Sequence, residues 1–269
     1  MATVVQRIDR SDIKGTLIAA LDDWAVCEPD ESRRARLLET TRNADPAPDG
    51  WPDRVRDPAT WHDREVLQRL AATASSQNTS VYLLRTVGER LSDVGVDSVS
   101  FYRQVQREHA DSFLANFALA NALRVREPEE AVRFYQAALA IRPREVSAGN
   151  NLAVALADLG RTDEAMPLFR QMSELPPPTA RVHYNLGGML ADSGRTKDAV
   201  AQFQRAIEIR PDLAPGHFAL GKALCDEKQY AAAEAALGRY LEMPMTDAAR
   251  RAEAGELLKR CRRELRVTK

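Results

Sequence analysis

The sequence is poor in aromatic residues and in cysteine, and it has almost no net charge. Only 6% of its residues are aromatic, and 38 Lys and Arg nearly balance 39 Asp and Glu. A balanced charge gives no global field that would attract nucleic acid or an anionic membrane. The three cysteines, Cys27, Cys225 and Cys261, are widely spaced and include no C-x-x-C pair. This spacing argues against a disulfide framework or a four-ligand zinc site and predicts three reduced thiols.

Long apolar runs are also missing. The longest one near the N-terminus, residues 16–21, runs directly into Asp22 and Asp23, so we expect no signal peptide. No run approaches the length that a membrane-spanning helix needs. We therefore expect a cytoplasmic protein without membrane contact. Ala, Leu, Arg and Glu dominate the composition, and because these residues favour helices, the sequence predicts an all-α fold.

Motifs that carry catalytic chemistry are absent from the sequence. It contains no phosphate-binding glycine loop, no H-R-D or D-F-G of a protein kinase and no G-x-S-x-G. His183 and His217 have no carboxylate or thiol partner on their own helix face, which argues against metal binding. The sequence therefore predicts no catalytic site, no metal and no cofactor.

What the sequence does contain is a 34-residue period. Residues of one type recur at this spacing: Pro143, Pro177 and Pro211; Ala131, Ala165 and Ala199; Tyr135, Phe169 and Phe203; Leu152, Leu186 and Leu220. A stacked helical hairpin explains the pattern, since small residues such as Gly187 let two helices approach. Gly194 is predicted to end the first helix and Pro211 the second. Phe203 is predicted to fill the space between its hairpin and the next one.

These residues resemble the tetratricopeptide-repeat (TPR) family, whose pattern is W-x2-L-G-x2-Y, then A-x3-F, then P. The resemblance implies a right-handed superhelical solenoid of antiparallel helix hairpins. Regular units are predicted at 113–145, 146–179, 180–213 and 214–247, after a degenerate unit at 79–112. The predicted domains are an irregular helical N-terminal segment over 1–78, the repeat array over 79–247 and a C-terminal capping helix over 248–269. Five residues are predicted to line one face of this last helix: Ala252, Leu257, Leu258, Cys261 and Leu265.

The N-terminal segment has no clear period. A helix capped by Ser11 is predicted to bury the face formed by Ile13, Leu17, Leu21 and Trp24. Further helices are predicted over 31–42 and 61–74, with a proline-rich loop over 45–58. All three tryptophans, Trp24, Trp51 and Trp61, lie in this segment and are predicted to pack against the first repeats, with an aromatic binding surface as the alternative.

Three short motifs in the N-terminal segment carry a second resemblance. The order L-D-D-W-A, A-D-P and R-V-R-D-P-x-T-W, followed by helical repeats, resembles segments that precede TPR tails in large bacterial Hanks-type Ser/Thr kinases. Because the kinase motifs are absent, the likeness implies the non-catalytic portion of such a system, or a stand-alone relative of it.

The TPR resemblance also implies where a partner would bind. In that family the first helix of each hairpin lines a concave groove, with positions 2, 5, 9, 12 and 13 of the unit facing a bound peptide and Asn frequent at position 6. The groove candidates in this sequence are Phe117, Asn121, Asn151, Asp158, Arg181, Tyr184, Asn185, Asp192, Phe218 and Asp226. Phe117 and Asn185 stand where TPR clamps for a C-terminal carboxylate have cations, which disfavours that activity.

Charge suggests the kind of partner. Asp158, Asp192 and Asp226 recur every 34 residues, so stacking is predicted to align them in an acidic row that favours a basic partner segment. From Ala248 to Lys269 there are eight Lys or Arg and three Glu, but they spread around the helix, so nucleic acid is not the expected partner. We expect a scaffold for protein interactions without catalysis. A regulatory module of a kinase system and a nucleic-acid adaptor are the alternatives.

Overall fold

The computed structural model describes residues 2–46, 50–74, 80–244 and 248–267. Within these ranges every regular element is helical, and the predicted all-α fold is confirmed. The chain divides into two compact units, Met1–Pro143 and Arg144–Lys269.

The first unit contains nine α-helices and one 3-10 turn among its described residues. They are α1 Ala2–Asp9, α2 Lys14–Cys27, α3 Glu31–Ala44, α4 Trp51–Val55, the turn Pro58–Thr60, α5 Arg64–Ala72, α6 Val81–Asp93, α7 Val99–Glu108, α8 Phe113–Leu123 and α9 Pro128–Ile141. Aspartate caps begin two of these helices, since the side chain of Asp30 accepts the amide of Arg33 and that of Asp63 accepts the amide of Glu65.

The second unit consists of three hairpins and a final long helix. They are α10 Val146–Asp158, α11 Thr162–Ser173, α12 Ala180–Asp192, α13 Thr196–Ile209, α14 Ala214–Asp226, α15 Tyr230–Glu242 and α16 Ala248–Val267. The first helices of the hairpins begin at residues 146, 180 and 214, and the second helices begin at residues 162, 196 and 230. The 34-residue period of the sequence is therefore the period of the hairpin.

Glycine lets the two helices of a hairpin come together. A Cβ atom added to Gly187 of α12 would lie 2.7 Å from the ring of Phe203 on α13. The next hairpin repeats the contact with an aliphatic residue, because a Cβ atom on Gly221 would lie 2.6 Å from Leu237. The ring of Phe203 also lies 5.9 Å from the ring of Tyr184. Phe203 thus packs against α12 of its own hairpin, whereas the sequence predicted a place between hairpins.

Left-handed residues end the first helices of all three hairpins. Gly160 and Gly194 have φ of 74° and 73°, as predicted for Gly194. At the equivalent place after α14 stands Lys228, with φ of 60°. The turns that contain Gly194 and Lys228 share one hydrogen bond. The backbone amide of Arg195 donates to the carbonyl of Leu190, and that of Gln229 donates to the carbonyl of Leu224.

A buried ion cluster holds the N-terminal helices together. The side chain of Arg56 is 1% exposed, and it donates to the carboxylates of Asp22 at 2.7 Å and Asp45 at 2.9 Å. Burial raises the pKa of Asp22 above its ordinary value, although the hydrogen bond and charge of Arg56 act in the opposite direction. The three motifs L-D-D-W-A, A-D-P and R-V-R-D-P-x-T-W each contribute one member of this cluster.

The cluster explains why α2 buries a different face from the predicted one. Asp22 is drawn to Arg56, so the buried face of α2 follows Ile18, Asp22 and Ala25. Ile13 is 57% exposed and Trp24 is 58% exposed, which corrects the predicted buried face at both of its ends. The helix also begins at Lys14 without a side-chain cap from Ser11.

Two of the three tryptophans follow the packing prediction. Trp51 and Trp61 are buried, and their indole N–H groups donate to the carbonyls of Leu70 and Val55. Trp24 is the exception, because its indole is mostly exposed.

The final helix α16 packs against α14 and α15. It buries Ala254, Leu258 and Cys261, while Leu257 and Leu265 are half-buried. Ala252 is exposed, contrary to its predicted place on the packed face.

Candidate functional site

A groove of about 450 Å³ lies in the second unit, along the first helices of its three hairpins. The walls include Tyr184, Asn185 and Asp192 of α12, together with Lys222 and Asp226 of α14. Tyr184 and Asn185 are half-buried, whereas Asp192 and Asp226 are exposed at the ends of their helices. The groove thus combines an aromatic ring, an amide and two carboxylates on one open surface.

Four predicted groove residues meet there, namely Tyr184, Asn185, Asp192 and Asp226. The other predicted residues of this unit lie elsewhere. Asp158 is exposed at the end of α10, Arg181 is exposed near the start of α12, and Phe218 lies 5.2 Å from the ring of Tyr240. Asn151 is half-buried on α10.

The asparagine side chains form a hydrogen-bonded chain between two hairpins. Asn185 Nδ2 donates to Asn150 Oδ1 at 2.9 Å, and Asn150 Nδ2 donates to Asn151 Oδ1 at 3.2 Å. Asn150 is buried and connects the two predicted residues, although the sequence interpretation passed over it. The amide nitrogen of Asn185 therefore ties α12 to α10.

The acidic residues occupy an electrostatically unfavourable position. Asp158, Asp192 and Asp226 are each the last residue of a helix, where the macrodipole is negative and a carboxylate costs about 0.3–1 kcal/mol. All three are exposed, and in the described part of the chain none of them forms an ion pair. The nearest cation in the groove, Lys222, pairs with Glu253 at 3.3 Å. Local stability does not account for carboxylates at these positions.

Phe117 and Asn121, the two groove candidates of the first unit, line a separate cavity of about 260 Å³. Phe117 stacks on Phe113 at a centroid distance of 5.5 Å. Asn121 Oδ1 accepts the hydroxyl of Tyr135 at 2.7 Å. These contacts give both residues a packing role within the hairpin of α8 and α9.

Residues at position 9 of the repeat also line the groove. The sequence interpretation took only Asn121 from this position, whereas Val154, Gly188 and Lys222 occupy it in the second unit and all three line the groove. Position 9 therefore lines the groove in all three hairpins of the second unit.

Two cysteines that are far apart in sequence are adjacent in space. The Sγ atoms of Cys225 on α14 and Cys261 on α16 lie 2.7 Å apart, and both side chains are completely buried. Burial raises the pKa of Cys225 to about 12. Both are free thiols, and their separation of 36 residues in sequence gave no indication that they are adjacent.

The histidines at repeat position 4 are packing residues. His183 and His217 are buried, and their ring nitrogens contact Gln202 Oε1 at 2.8 Å and the carbonyl of Pro211 at 2.9 Å. Among the described residues, no group of three or more His, Cys, Asp or Glu side chains is arranged to hold a metal ion. None of the helices over these same ranges combines the length and apolar character that crossing a bilayer requires.

Comparison with known proteins agrees with this architecture. The tetratricopeptide repeat family model matches residues 117–177 and 150–214. No protein of curated function matches the chain in sequence.

Solved structures share the fold at low sequence identity. A MamA structure comprising residues 41 to the end, from Desulfovibrio magneticus RS-1, is 18% identical with a TM-score of 0.54, and the match covers 61% of this chain and 94% of that one. YrrB, described as a TPR protein with an unusual peptide-binding site, is 18% identical with a TM-score of 0.52 and coverages of 72% and 99%. Over residues 117–214 the hairpins, their period and the family model agree on tetratricopeptide repeats, and the solved structures share the fold.

Proposed function

We propose that this protein is a non-catalytic scaffold whose second unit binds a basic segment of a partner polypeptide in the groove along α10, α12 and α14. The observation that carries the proposal is the pair of exposed carboxylates at the ends of α12 and α14, Asp192 and Asp226. Asp192 and Asp226 line the groove and form no ion pair within the described part of the chain, although each lies where the helix dipole disfavours it. A Lys or Arg side chain of a partner would relieve this repulsion.

The remaining groove residues suit an extended peptide. Asn185 presents an amide oxygen that accepts a backbone N–H, since its nitrogen is engaged by Asn150. Tyr184 and Met189 offer apolar contact between the polar groups. The peptide-binding site for which YrrB is described is a precedent for this use of the fold.

Asp158 provides a matched control for a binding experiment. It ends its helix as Asp192 and Asp226 do, but it does not line the groove. The probes are fluorescein-labelled peptides of about ten residues in which Lys alternates with apolar residues, together with Glu counterparts of equal length. We expect Asp192→Asn with Asp226→Asn to weaken binding of the Lys peptides about tenfold, because two exposed ion pairs are worth up to about 1 kcal/mol each. The loss should lie mainly in the association rate and should shrink at high salt.

The control variant Asp158→Asn should bind nearly as the unmodified protein does. Asn151→Ala with Asn185→Ala should instead speed dissociation. The carboxylate variants should unfold at the same temperature as the unmodified protein or higher, since the helix dipole disfavours the carboxylates. Equal affinity of the double aspartate variant and the unmodified protein, or equal binding of Lys and Glu peptides, would remove the groove from the mechanism.

A second candidate is a regulatory TPR module of a bacterial Ser/Thr kinase system. It is favoured by the three N-terminal motifs that resemble segments of such kinases and that converge on Arg56. The test is titration of the purified protein with the Ser/Thr kinase catalytic domain encoded nearest to its gene. Binding that survives in the double aspartate variant but is lost in Trp24→Ala would favour this candidate over groove binding.

A further inference from the structure

The pair formed by Cys225 and Cys261 has no part in the groove chemistry. We propose that these two cysteines are a covalent modification site, at which a low-molecular-weight disulfide oxidises the pair to an intramolecular disulfide that fixes α16 to α14. The Sγ atoms lie 2.7 Å apart, within an ångström of the bond length of about 2.05 Å in a disulfide. The two side chains therefore already face one another between α14 and α16.

The repeat pattern supports a specific pairing. Cys225 occupies the repeat position that Ala157 and Ala191 hold in the two preceding hairpins. Cysteine replaces alanine only in the hairpin that α16 covers, and α16 places its own single cysteine opposite. In the two preceding hairpins the alanine at this position is half-buried and lines the groove, whereas Cys225 is completely buried.

The reaction balances with oxidised glutathione as the oxidant. A protein thiolate attacks one glutathione sulfur, which forms a mixed disulfide and releases one glutathione thiolate. The second protein thiolate then attacks the protein sulfur of the mixed disulfide and releases the second glutathione. The two protons of the protein thiols pass to the two glutathione thiolates, so one disulfide is reduced as one is formed.

Burial determines how the reaction proceeds. Both thiols are inaccessible in the closed state, and the raised pKa of Cys225 keeps it protonated there. Attack on glutathione therefore begins when α16 opens locally, and the second step follows as α16 closes again. Oxidation should accordingly be slow in native buffer and faster in low concentrations of urea.

The test uses the full chain and oxidised glutathione, with two routes to the product. One sample is oxidised in low urea, and another is unfolded in urea, oxidised and refolded. We expect free thiols to fall from three to one, and peptide mapping to find a Cys225–Cys261 cross-link. The melting temperature should rise by about 5 °C and return on reduction with dithiothreitol, because the bond closes a long loop.

Two variants serve as controls. Cys27→Ser should still lose two thiols and gain the same thermal shift, whereas Cys261→Ala should show no shift with oxidant. A stable mixed disulfide without the cross-link, a cross-link to Cys27, or three free thiols after oxidative refolding would overturn the proposal. The refolding route gives the oxidant access to every thiol, so burial does not obscure a negative result.

Discussion

At the scale of single residues, the turn after α14 holds a lysine in a backbone conformation that favours glycine. Lys228 has φ of 60°, and the same turn after α12 is made by Gly194 at 73°. A residue with a Cβ atom destabilises the folded state by about 1–2 kcal/mol in this region. Glycine avoids that cost, but its greater conformational entropy in the unfolded state offsets part of the gain. We expect Lys228→Gly to raise the free energy of unfolding by about 1 kcal/mol, measured by urea denaturation.

Gly194→Ala is the matched reverse change. A Cβ atom there meets nothing within 4 Å, so a steric clash with other residues does not contribute, and we expect a net loss of about 1 kcal/mol from the left-handed backbone. If both variants have the stability of the unmodified protein, positive φ is not a determinant of these turns.

Arg56 is the residue on which the N-terminal helices depend. Removing one partner of a buried ion pair leaves an uncompensated charge, so Arg56→Met should destabilise the first unit by about 3–5 kcal/mol at pH 7. Asp22 already has a raised pKa through burial, and without Arg56 the folded state should bind its proton still more tightly. The folded form of the variant is therefore favoured as pH falls through this raised pKa, and the loss should be smaller near pH 4 than at pH 7.

The measurement is urea unfolding of the variant and the unmodified protein at both pH values. Asp22→Leu combined with Arg56→Met removes both charges and should recover part of the loss. A double variant less stable than Arg56→Met alone would show that the ion pair is not the source of the effect.

At the scale of an element, adjacent glycines on α12 test how its hairpin packs. A Cβ atom on Gly187 would lie 2.7 Å from the ring of Phe203, whereas one on Gly188 meets nothing within 4 Å. We expect Gly187→Ala to destabilise the protein by about 1–3 kcal/mol through overpacking. Gly188→Ala should stabilise it by roughly 0.5–1 kcal/mol, since alanine is the better helix former.

Thermal melts of the two variants should therefore shift in opposite directions. Phe203→Ala should lower the free energy of unfolding by about 3–5 kcal/mol, because removal of the buried ring leaves a cavity. Shifts of the same sign for both glycine variants would contradict the close approach of α12 and α13.

At the scale of the whole molecule, charge argues against the nucleic-acid adaptor. The net charge is −1, and several basic side chains of α16 have acceptors within the protein. Arg262 pairs with Glu234 at 2.8 Å, Lys259 pairs with Glu256 at 2.8 Å, and Arg251 donates to the carbonyl of Leu241 at 3.1 Å. We expect no retention on heparin resin at physiological salt. Retention that falls steeply with salt concentration would instead favour the adaptor.

The sequence by itself determined the repeat. Its 34-residue spacing of alanine, aromatic and proline residues required hairpins of one length, because a hairpin of this kind buries its apolar face only against its neighbours. It also predicted the positive φ of Gly194, where the first helix of a hairpin ends. Of the groove candidates, Tyr184, Asn185, Asp192 and Asp226 were found in one place by repeat position alone.

The tertiary structure determined the contacts between residues that the repeat does not relate to one another. The sequence predicted that Trp24 lies on the packed face of α2. Asp22 instead pairs with Arg56, which is 34 positions away in sequence, and the buried face of α2 is therefore the one that carries Asp22. Cys225 and Cys261 are 36 positions apart and meet because α16 covers α14. Asp158 lies outside the groove although Asp192 and Asp226 hold the same repeat position and line it, since a repeat position fixes a helix face but not which neighbouring helix faces it. Contacts between non-equivalent positions depend on how elements dock, and a periodic pattern carries no information about them.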